Sequence, residues 1–262
     1  GMYLTAQVTG GLLGPVIGGG LSEAIGYRSS FFVIGVLCMF GFAAALFVRE
    51  TKQPAPAEET EQSTREMFRT LPRFRMTLAA FVVTFLMYFS ITCVQPVLTV
   101  YVEALAPETE HLAVIAGIVF SCSGVASMLF ASKLGHLSDQ AGPHRVLVGS
   151  LLLAGLVSFP QGWVTTSWEL GALRFIHGIA MAGMIPAIND MIRLITPPSC
   201  TGRIYGFNQS AQYIGTFAGA FIGGQLTAWL GFAQTFFIVG LLLLGSAAWC
   251  RMRLYMDASP EQ

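Results

Sequence analysis

Charged residues are scarce in this chain. Of its 262 residues only 11% are Asp, Glu, Lys or Arg, whereas roughly 25% is typical of soluble domains. Because 54% of the residues are apolar, the composition argues against an ordinary water-soluble globule. The net charge is zero and no basic surface is present to neutralise phosphates, so the chain is not expected to bind nucleic acid. Five scattered cysteines without a C-x-x-C spacing indicate neither a metal site nor a redox centre.

Seven stretches have no Asp, Glu, Lys or Arg at all, and they predict the membrane spans. About 20 helical residues cross a bilayer core, and five of the stretches have 20 to 27 residues. The 47-residue stretch is long enough to cross twice, with a turn predicted at 229–232. We therefore predict an all-α polytopic membrane protein with about eight transmembrane helices. The stretches are 1–22, 29–48, 76–102, 111–132, 146–168, 175–189 and 204–250.

Basic residues collect on alternate connections between these spans. Twelve of the 14 Lys and Arg follow even-numbered spans, and only Arg28 and Arg174 fall on the other side. Cytoplasmic loops carry the excess of Lys and Arg, so both termini are expected in the cytoplasm of a multi-pass protein of the cell inner membrane. The polar segment 51–75 reads as a cytoplasmic linker, although a surface helix over 63–71 fits about equally well.

The two ends of the chain are similar to each other. Residues 1–35 align without gaps with 206–240, with 13 identities at an offset of 205. Spans 1 and 2 are therefore the expected counterparts of spans 7 and 8, as in the parallel repeats of transporters. Span 3, which begins near Met76, has no counterpart in the chain. We predict that four spans and about 130 residues are missing before residue 1, so that eight helices remain of twelve.

Span 1 contains glycines at four-residue spacing: Gly10, Gly14 and Gly18, followed by Gly19. This spacing aligns the glycines in a groove that another helix can approach closely, and Pro15 bends the helix. We expect a ridge of small residues on span 4 to fill the groove. The ridge consists of Ser123, Ser127, Ala131 and Gly135.

Span 7 repeats the groove with Gly215, Gly219 and Gly223. From the repeat, we expect this second groove to pack against a missing span and to face lipid or another chain here. The isolated chain is therefore expected to be unstable or to associate with itself.

A second motif connects spans 4 and 5, at residues 135–145. Its members are Gly135, Asp139, Gly142 and Arg145. Asp139 is expected to cap a helix or to pair with Arg145, and Gly142 allows a sharp turn. An ordinary solvated loop is the alternative.

Three polar residues lie in span 6: Arg174, His177 and Asp190. Arginine in hydrocarbon is costly and needs a partner or water, so Arg174 either acts inside the membrane or extends to its interface. For His177 a structural hydrogen bond is favoured over proton transfer. Asp190 either pairs locally with Arg193 or attracts a cationic substrate or a proton.

These motifs resemble those of the major facilitator superfamily. The string GGLLGPVIGG at 10–19 resembles the antiporter signature, GHLSDQAGPHR at 135–145 resembles the G-x-L-x-D-R-x-G-R-R loop, and LRFIHG at 173–178 resembles the R-x-x-x-G element. Gln140 replaces the arginine that follows the aspartate in the loop pattern. The charge latch, meaning the pairing of Asp139 that would hold one conformation of the transporter, is therefore expected to be weaker. With GRIYGFNQS at 202–210, the chain is most similar to the last eight helices of bacterial drug:proton antiporters.

The resemblance implies an arrangement of domains and a function. Residues 1–50 would be the last two helices of an N-terminal bundle, 51–75 the linker, 76–255 a six-helix C-terminal bundle, and 256–262 a cytoplasmic tail. The protein would export small amphipathic drug-like molecules by alternating access, driven by a proton gradient and without a cofactor. Its expected partners are membrane lipid, substrate, protons and the four missing helices.

Three alternatives stay open. The chain could belong to a transporter of sugars, nutrients or metabolites, or be a truncated product that transports nothing. A membrane-embedded enzyme would need clustered His, Asp or Glu in the spans. The sequence offers only the separated His177 and Asp190 there, so no enzyme is expected.

A substrate cavity should be lined by polar, aromatic and methionine side chains on the spans. Each of these is more often a packing residue between helices than a ligand contact. The candidates are Gln7, Tyr88, Thr92, Gln95, Phe120, Met181, Met184, Asn189, Asn208, Gln209, Gln212, Tyr213 and Phe217.

Overall fold

The computed structural model describes residues 2–47, 71, 74–107 and 111–254. These residues form eight α-helices and no strand, which confirms the all-α prediction. A single 3₁₀ turn, Pro198–Cys200, precedes α7. The predicted linker and tail fall almost wholly outside the described residues. The helices are α1 (Met2–Ile25), α2 (Tyr27–Leu46), α3 (Phe74–Leu105), α4 (Leu112–Ala141), α5 (Pro143–Gln161), α6 (Ser167–Ile195), α7 (Thr201–Leu230) and α8 (Phe232–Leu254).

Six of these eight described helices are long and apolar enough to cross a membrane. The two others are α1 and α7, the pair that the internal repeat relates. Both are rich in glycine, and α7 also contains several Asn and Gln side chains, which lowers its hydropathy. Composition thus distinguishes α1 and α7 from the other six helices.

Single glycines join three successive helix pairs. Gly26, Gly142 and Gly231 have φ values of 80°, 89° and 90°, a region that residues with a Cβ rarely adopt. The sharp turns predicted at Gly142 and within 229–232 are confirmed. We call the two ends of the bundle the Gly26 end and the Gly142 end. The Gly26 end holds the turns after α1, α3, α5 and α7.

The core lies among α3 to α8. The principal packed pairs are α3 with α7, α4 with α6, and α5 with both α6 and α8. Gly155 and Gly240 bring α5 and α8 together, since a Cβ on either would lie 3.0 Å from the other's carbonyl oxygen. The helix α1 contacts this body through α4, whereas the side chains of α2 are almost all exposed. The largest wholly buried aliphatic side chains are Met87, Leu98, Leu147, Leu151, Leu170, Met184, Ile188, Ile192, Ile204 and Leu243.

Candidate functional site

A cavity of about 660 Å³ lies between α1, α3, α4 and α6. It brings together four residues of the predicted substrate site: Gln95, Phe120, Met181 and Asn189. Its wall is mainly apolar, with a few amide and hydroxyl groups. The other lining residues are Pro15, Ser123, Gly124, Ser127, Ala131, Ala182, Ile185 and Pro186.

Small residues hold the α4 and α6 walls of this cavity together. The Ser127 hydroxyl donates a 2.8 Å hydrogen bond to the carbonyl of Gly178. A Cβ on Gly178 would overlap the backbone of Ser123, so only glycine permits this approach. The span-4 ridge therefore packs on α6 at Ser123 and Ser127, and the prediction that it fills the groove of α1 was wrong. The spacing revealed a ridge of small residues but not the helix it contacts.

The α1 wall meets α4 closer to the Gly26 end. A Cβ on Gly19 would lie 2.5 Å from the Ala113 carbonyl oxygen, and one on Gly117 would lie 2.6 Å from that of Pro15. These two contacts close the cavity on this side. At Gly10, Gly14 and Gly18, no neighbouring atom of the described residues comes within 4 Å of the position that a Cβ would occupy, so the predicted groove of α1 is open there.

The corresponding groove of α7 is filled by α3. A Cβ on Gly215 would lie 2.5 Å from the Phe85 carbonyl oxygen, and one on Gly219 or Gly223 would overlap the carbonyls of Phe89 and Cys93. The prediction that this groove faces lipid or another chain was therefore wrong. Among the described residues, the groove that lies open is the one in α1.

Two predicted cavity residues lie inside this α3–α7 interface. The Thr84 hydroxyl donates to the Asn208 side-chain oxygen at 2.8 Å, and the Thr92 hydroxyl lies 3.1 Å from the carbonyl of Thr216. Asn208 and Thr92 are both buried there. The structure thus assigns them to helix packing and away from the cavity.

The remaining candidates are distributed over other surfaces. Tyr88 is half-buried against the core, and Met184 is wholly buried within it. On α7, Gln212 is half-buried, while Gln209, Tyr213 and Phe217 are exposed. The side chain of Gln7 lies outside the described residues. Whether any of these contacts a substrate stays a prediction.

Arg174 and His177 lie one turn apart inside the bundle, with exposed fractions of 7% and 5%. The Arg174 guanidinium lies over the ring of Phe236, 5.8 Å from its centroid, close enough for a cation–π contact. Within the described residues, Nε and Nη2 of Arg174 and Nδ1 of His177 have no hydrogen-bond partner. Arg174 therefore points into the protein and does not extend to the membrane interface.

Asp190 pairs locally with Arg193, the first of the two predicted alternatives, because its carboxylate lies 3.6 Å from the Arg193 guanidinium. No group of three or more His, Cys, Asp or Glu that could hold a metal occurs in the described part of the chain.

The predicted latch between α4 and α5 is absent from this structure. Asp139 belongs to the last helical turn of α4 and is exposed, as is Arg145. The N-cap of α5 is Gly142, and no side chain hydrogen-bonds there. No ion pair joins Asp139 to Arg145 among the described residues. The segment that we expected as a loop is helical on both sides of Gly142, so neither predicted contact of Asp139 forms.

Sequence reasoning missed one contact at the Gly26 end. Glu23 of α1 accepts a hydrogen bond from the backbone N–H of Val114 at 3.2 Å, and its other oxygen lies 3.2 Å from Nδ1 of His111. Glu23 is the only charged residue of α1. An isolated charge at the end of an apolar helix was the available signal, but nothing in the sequence pointed to α4 as its partner.

The comparisons with known proteins agree with these motifs. The sequence profile of the Major Facilitator Superfamily matches residues 1–114 and 80–262. Proteins named multidrug resistance protein MdtG from Enterobacter lignolyticus, Serratia proteamaculans and Citrobacter koseri are 33%, 34% and 34% identical to the chain. The alignments cover 97% of this chain in each case and 61%, 62% and 63% of those proteins. The chain thus spans about three fifths of the length of these relatives, and it belongs to the major facilitator superfamily.

Proposed function

We propose that the chain is the C-terminal part of a multidrug exporter that moves small amphipathic molecules out of the cell by proton antiport. The cavity between α1, α3, α4 and α6 carries the proposal. Its volume of about 660 Å³ lies within the roughly 300 to 1,000 Å³ typical of sites for drug-sized ligands. The similar proteins are named multidrug resistance proteins, which supports a role in drug export, and the chain belongs to a family of transporters.

The lining of the cavity suits varied ligands. Met181 and Phe120 offer polarizable apolar surface, while the amides of Gln95 and Asn189 offer a few hydrogen bonds. Methionine-rich and aromatic surfaces can repack around different molecules. No acidic side chain lines the cavity in the described residues. The residue that couples protons to transport would therefore lie elsewhere in the complete protein.

The excess of basic residues at the Gly142 end supports an orientation in which this end lies in the cytoplasm and the protein spans the inner membrane. The cavity extends from Gln95 and Phe120 to Ala131 and Asn189, toward that end. At the opposite end, α1 and α4 are in contact at Gly19 and Ala113. With α1 in the N-terminal bundle and α4 in the C-terminal bundle, this arrangement corresponds to an inward-facing state of an alternating-access cycle.

The repeated glycines support the proposal that four helices precede the chain in the complete protein. Gly14 and Gly35 are open, whereas their repeat counterparts Gly219 and Gly240 are in contact with α3 and α5. Among the described residues, the same helix types thus have neighbours in the second unit that they lack in the first. Counterparts of α3 and α5 would fill the open positions. Reading the genomic DNA directly upstream of residue 1 tests this, and a stop codon with no apolar spans before it would contradict it.

The function is tested with the gene and its upstream sequence expressed in cells that lack their own drug exporters. We expect lower accumulation of a lipophilic dye, restored by a protonophore. Asn189→Ala should change the accumulation of some dyes more than others, while Leu194→Ala, an exposed position on the same helix, should not. Accumulation that is independent of the proton gradient would refute antiport. Uptake of a nutrient in place of dye export would favour the alternative of a non-drug transporter, and no transport at all would favour a non-functional product.

A further inference from the structure

The α4 helix begins without a capping side chain of its own. Its N-cap residue is His111, and no side-chain cap hydrogen bond is made by that residue. The first backbone N–H groups of a helix have no intrahelical acceptor and carry partial positive charge, so a carboxylate beside them is stabilising. The sequence of α4 provides none within its first turn.

The missing cap is supplied by α1. Val114 is the third residue after the N-cap, the position whose N–H a capping side chain normally binds. Its N–H donates to Glu23 at 3.2 Å, and the second carboxylate oxygen lies 3.2 Å from His111. One side chain of α1 thus binds both the backbone and the first side chain of α4.

This contact stands at the closed side of the cavity. Along α1 toward the cavity it is followed by the contact of Gly19 with Ala113 and then by that of Pro15 with Gly117. Pro15 itself lines the cavity. If the cavity opened at the Gly26 end by separation of α1 from α4, the contact of Glu23 with α4 would therefore have to break.

The internal repeat indicates that Glu23 is not a general packing residue of this helix type. The offset of 205 places Ala228 of α7 at the corresponding position. The glycines that pack the helix recur in α7, whereas the carboxylate occurs only in α1. Its contribution is thus specific to the α1–α4 contact.

We propose that Glu23 is a positioning residue that acts as a latch: it holds the cavity closed at the Gly26 end, because this residue of α1 caps the N-terminus of α4. The inference rests on the proposed function, in which α1 and α4 belong to bundles that move relative to each other. Loss of the carboxylate should raise the ratio of outward-open to outward-closed molecules by about fivefold, the effect typical of losing a helix cap.

The test measures the separation of α1 from the bundle directly. The protein is expressed with its upstream sequence, and its native cysteines, five of which lie in this chain, are replaced by alanine. Spin labels are then attached at Ile25→Cys and Trp168→Cys, two exposed positions at the Gly26 end of α1 and α6. Double electron–electron resonance in lipid nanodiscs then gives the distance distribution. We expect E23A to increase a longer-distance population, and E23Q, which keeps one acceptor oxygen, to do so less.

Glu103→Ala is the matched control, because Glu103 is an exposed carboxylate near the same end of the bundle. Its distribution should match that of the unsubstituted chain. If E23A yields too little protein, the comparison of E23Q with the control still tests the latch. Distributions of E23A and E23Q that superimpose on the control overturn the latch. The distance measurement is made without substrate, so its result does not depend on which molecule the protein transports. If E23A increases the longer-distance population but the protein exports no dye, the latch is supported and only the drug-export function is refuted.

Discussion

The strongest test of the helix packing compares two glycines that the internal repeat places at the same position. Gly219 of α7 lies against α3, and a Cβ there would overlap the carbonyl oxygen of Phe89 and the hydroxyl of Thr92. At Gly14 of α1, no neighbouring atom in the described part of the chain lies within 4 Å of the same position. Gly219→Ala and Gly14→Ala therefore add the same methyl group to the same motif in two different surroundings. We expect only the first to destabilise the chain.

The expected loss of stability in Gly219→Ala depends on which part of the structure must move to make room for the methyl group. The Phe89 carbonyl belongs to helical backbone and cannot rotate away, so α3 and α7 must separate. Overpacking of this kind costs about 1 to 3 kcal/mol. Separation also weakens the hydrogen bond from Thr84 to Asn208, worth about 0.6 kcal/mol between membrane helices, whereas the Thr92 hydroxyl keeps its shorter bond to the Tyr88 carbonyl of its own helix. The total is about 2 to 4 kcal/mol.

Gly14→Ala should be neutral or stabilising, because alanine is favoured over glycine in a helix by up to about 1 kcal/mol. Both variants can be compared by thermal unfolding in detergent, monitored by size-exclusion chromatography. Gly219→Ala should lower Tm by roughly 4 to 16 °C, and Gly14→Ala should not lower it. Equal Tm values for the two variants would refute the assignment of α3 to the groove of α7. In the proposed twelve-helix protein, a counterpart of α3 would make Gly14→Ala destabilising as well.

Three further predictions concern other parts of the bundle. In a double-mutant cycle, Thr84→Ala and Asn208→Ala should show a coupling energy of about 0.6 to 1.7 kcal/mol, measured by unfolding in detergent; a coupling near zero would contradict the hydrogen bond. Arg174→Met should leave Tm unchanged or raise it, because replacing a buried, poorly partnered charge by an apolar side chain is often neutral or stabilising; a large drop in Tm would indicate a partner for the guanidinium. Gly142→Ala should lower Tm because φ is 89° there, whereas Gly149→Ala, in the open middle of α5, should not; equal effects would contradict a strained turn at Gly142.

The number of helices follows from composition because the bilayer requires a minimum length of apolar helix, whereas helix ends do not: α6 spans Ser167–Ile195, although the charge-free stretch is only 175–189. Charge in hydrocarbon is costly, so each charge-free stretch marks at least one crossing, and the stretch 204–250 is long enough that it had to turn. The structure places α7 and α8 there, separated by Gly231 alone. The glycine was recognisable because a turn between two long helices needs a backbone conformation that other residues rarely adopt.

Helix partners could not be predicted in the same way. Four-residue spacing places Gly215, Gly219 and Gly223 on one face of α7, but the pattern carries no information about which helix meets that face. The same limit applies to the span-4 ridge, which contacts Gly178 of α6, and to Glu23, whose partner is a backbone N–H of α4. A backbone donor leaves no trace in the sequence, so this capping contact becomes visible only in the structure.

The repeat also accounts for the exposed predicted cavity residues of α7. Pro15 of α1 lines the cavity, and the offset of 205 places Ala220 of α7 at the corresponding position. With 3.6 residues per turn, Gln209, Tyr213 and Ala220 lie within about 40° of one another around the helix axis. Gln209 and Tyr213 therefore share the face of α7 that corresponds to the cavity face of α1.

In the proposed twelve-helix protein, a counterpart of α4 would pack against this side of α7 at Gly224. Among the described residues Gly224 is open, although its counterpart Gly19 is in contact with α4. The exposure of these side chains is thus what the repeat predicts for a cavity wall whose opposite helices belong to the preceding part of the protein.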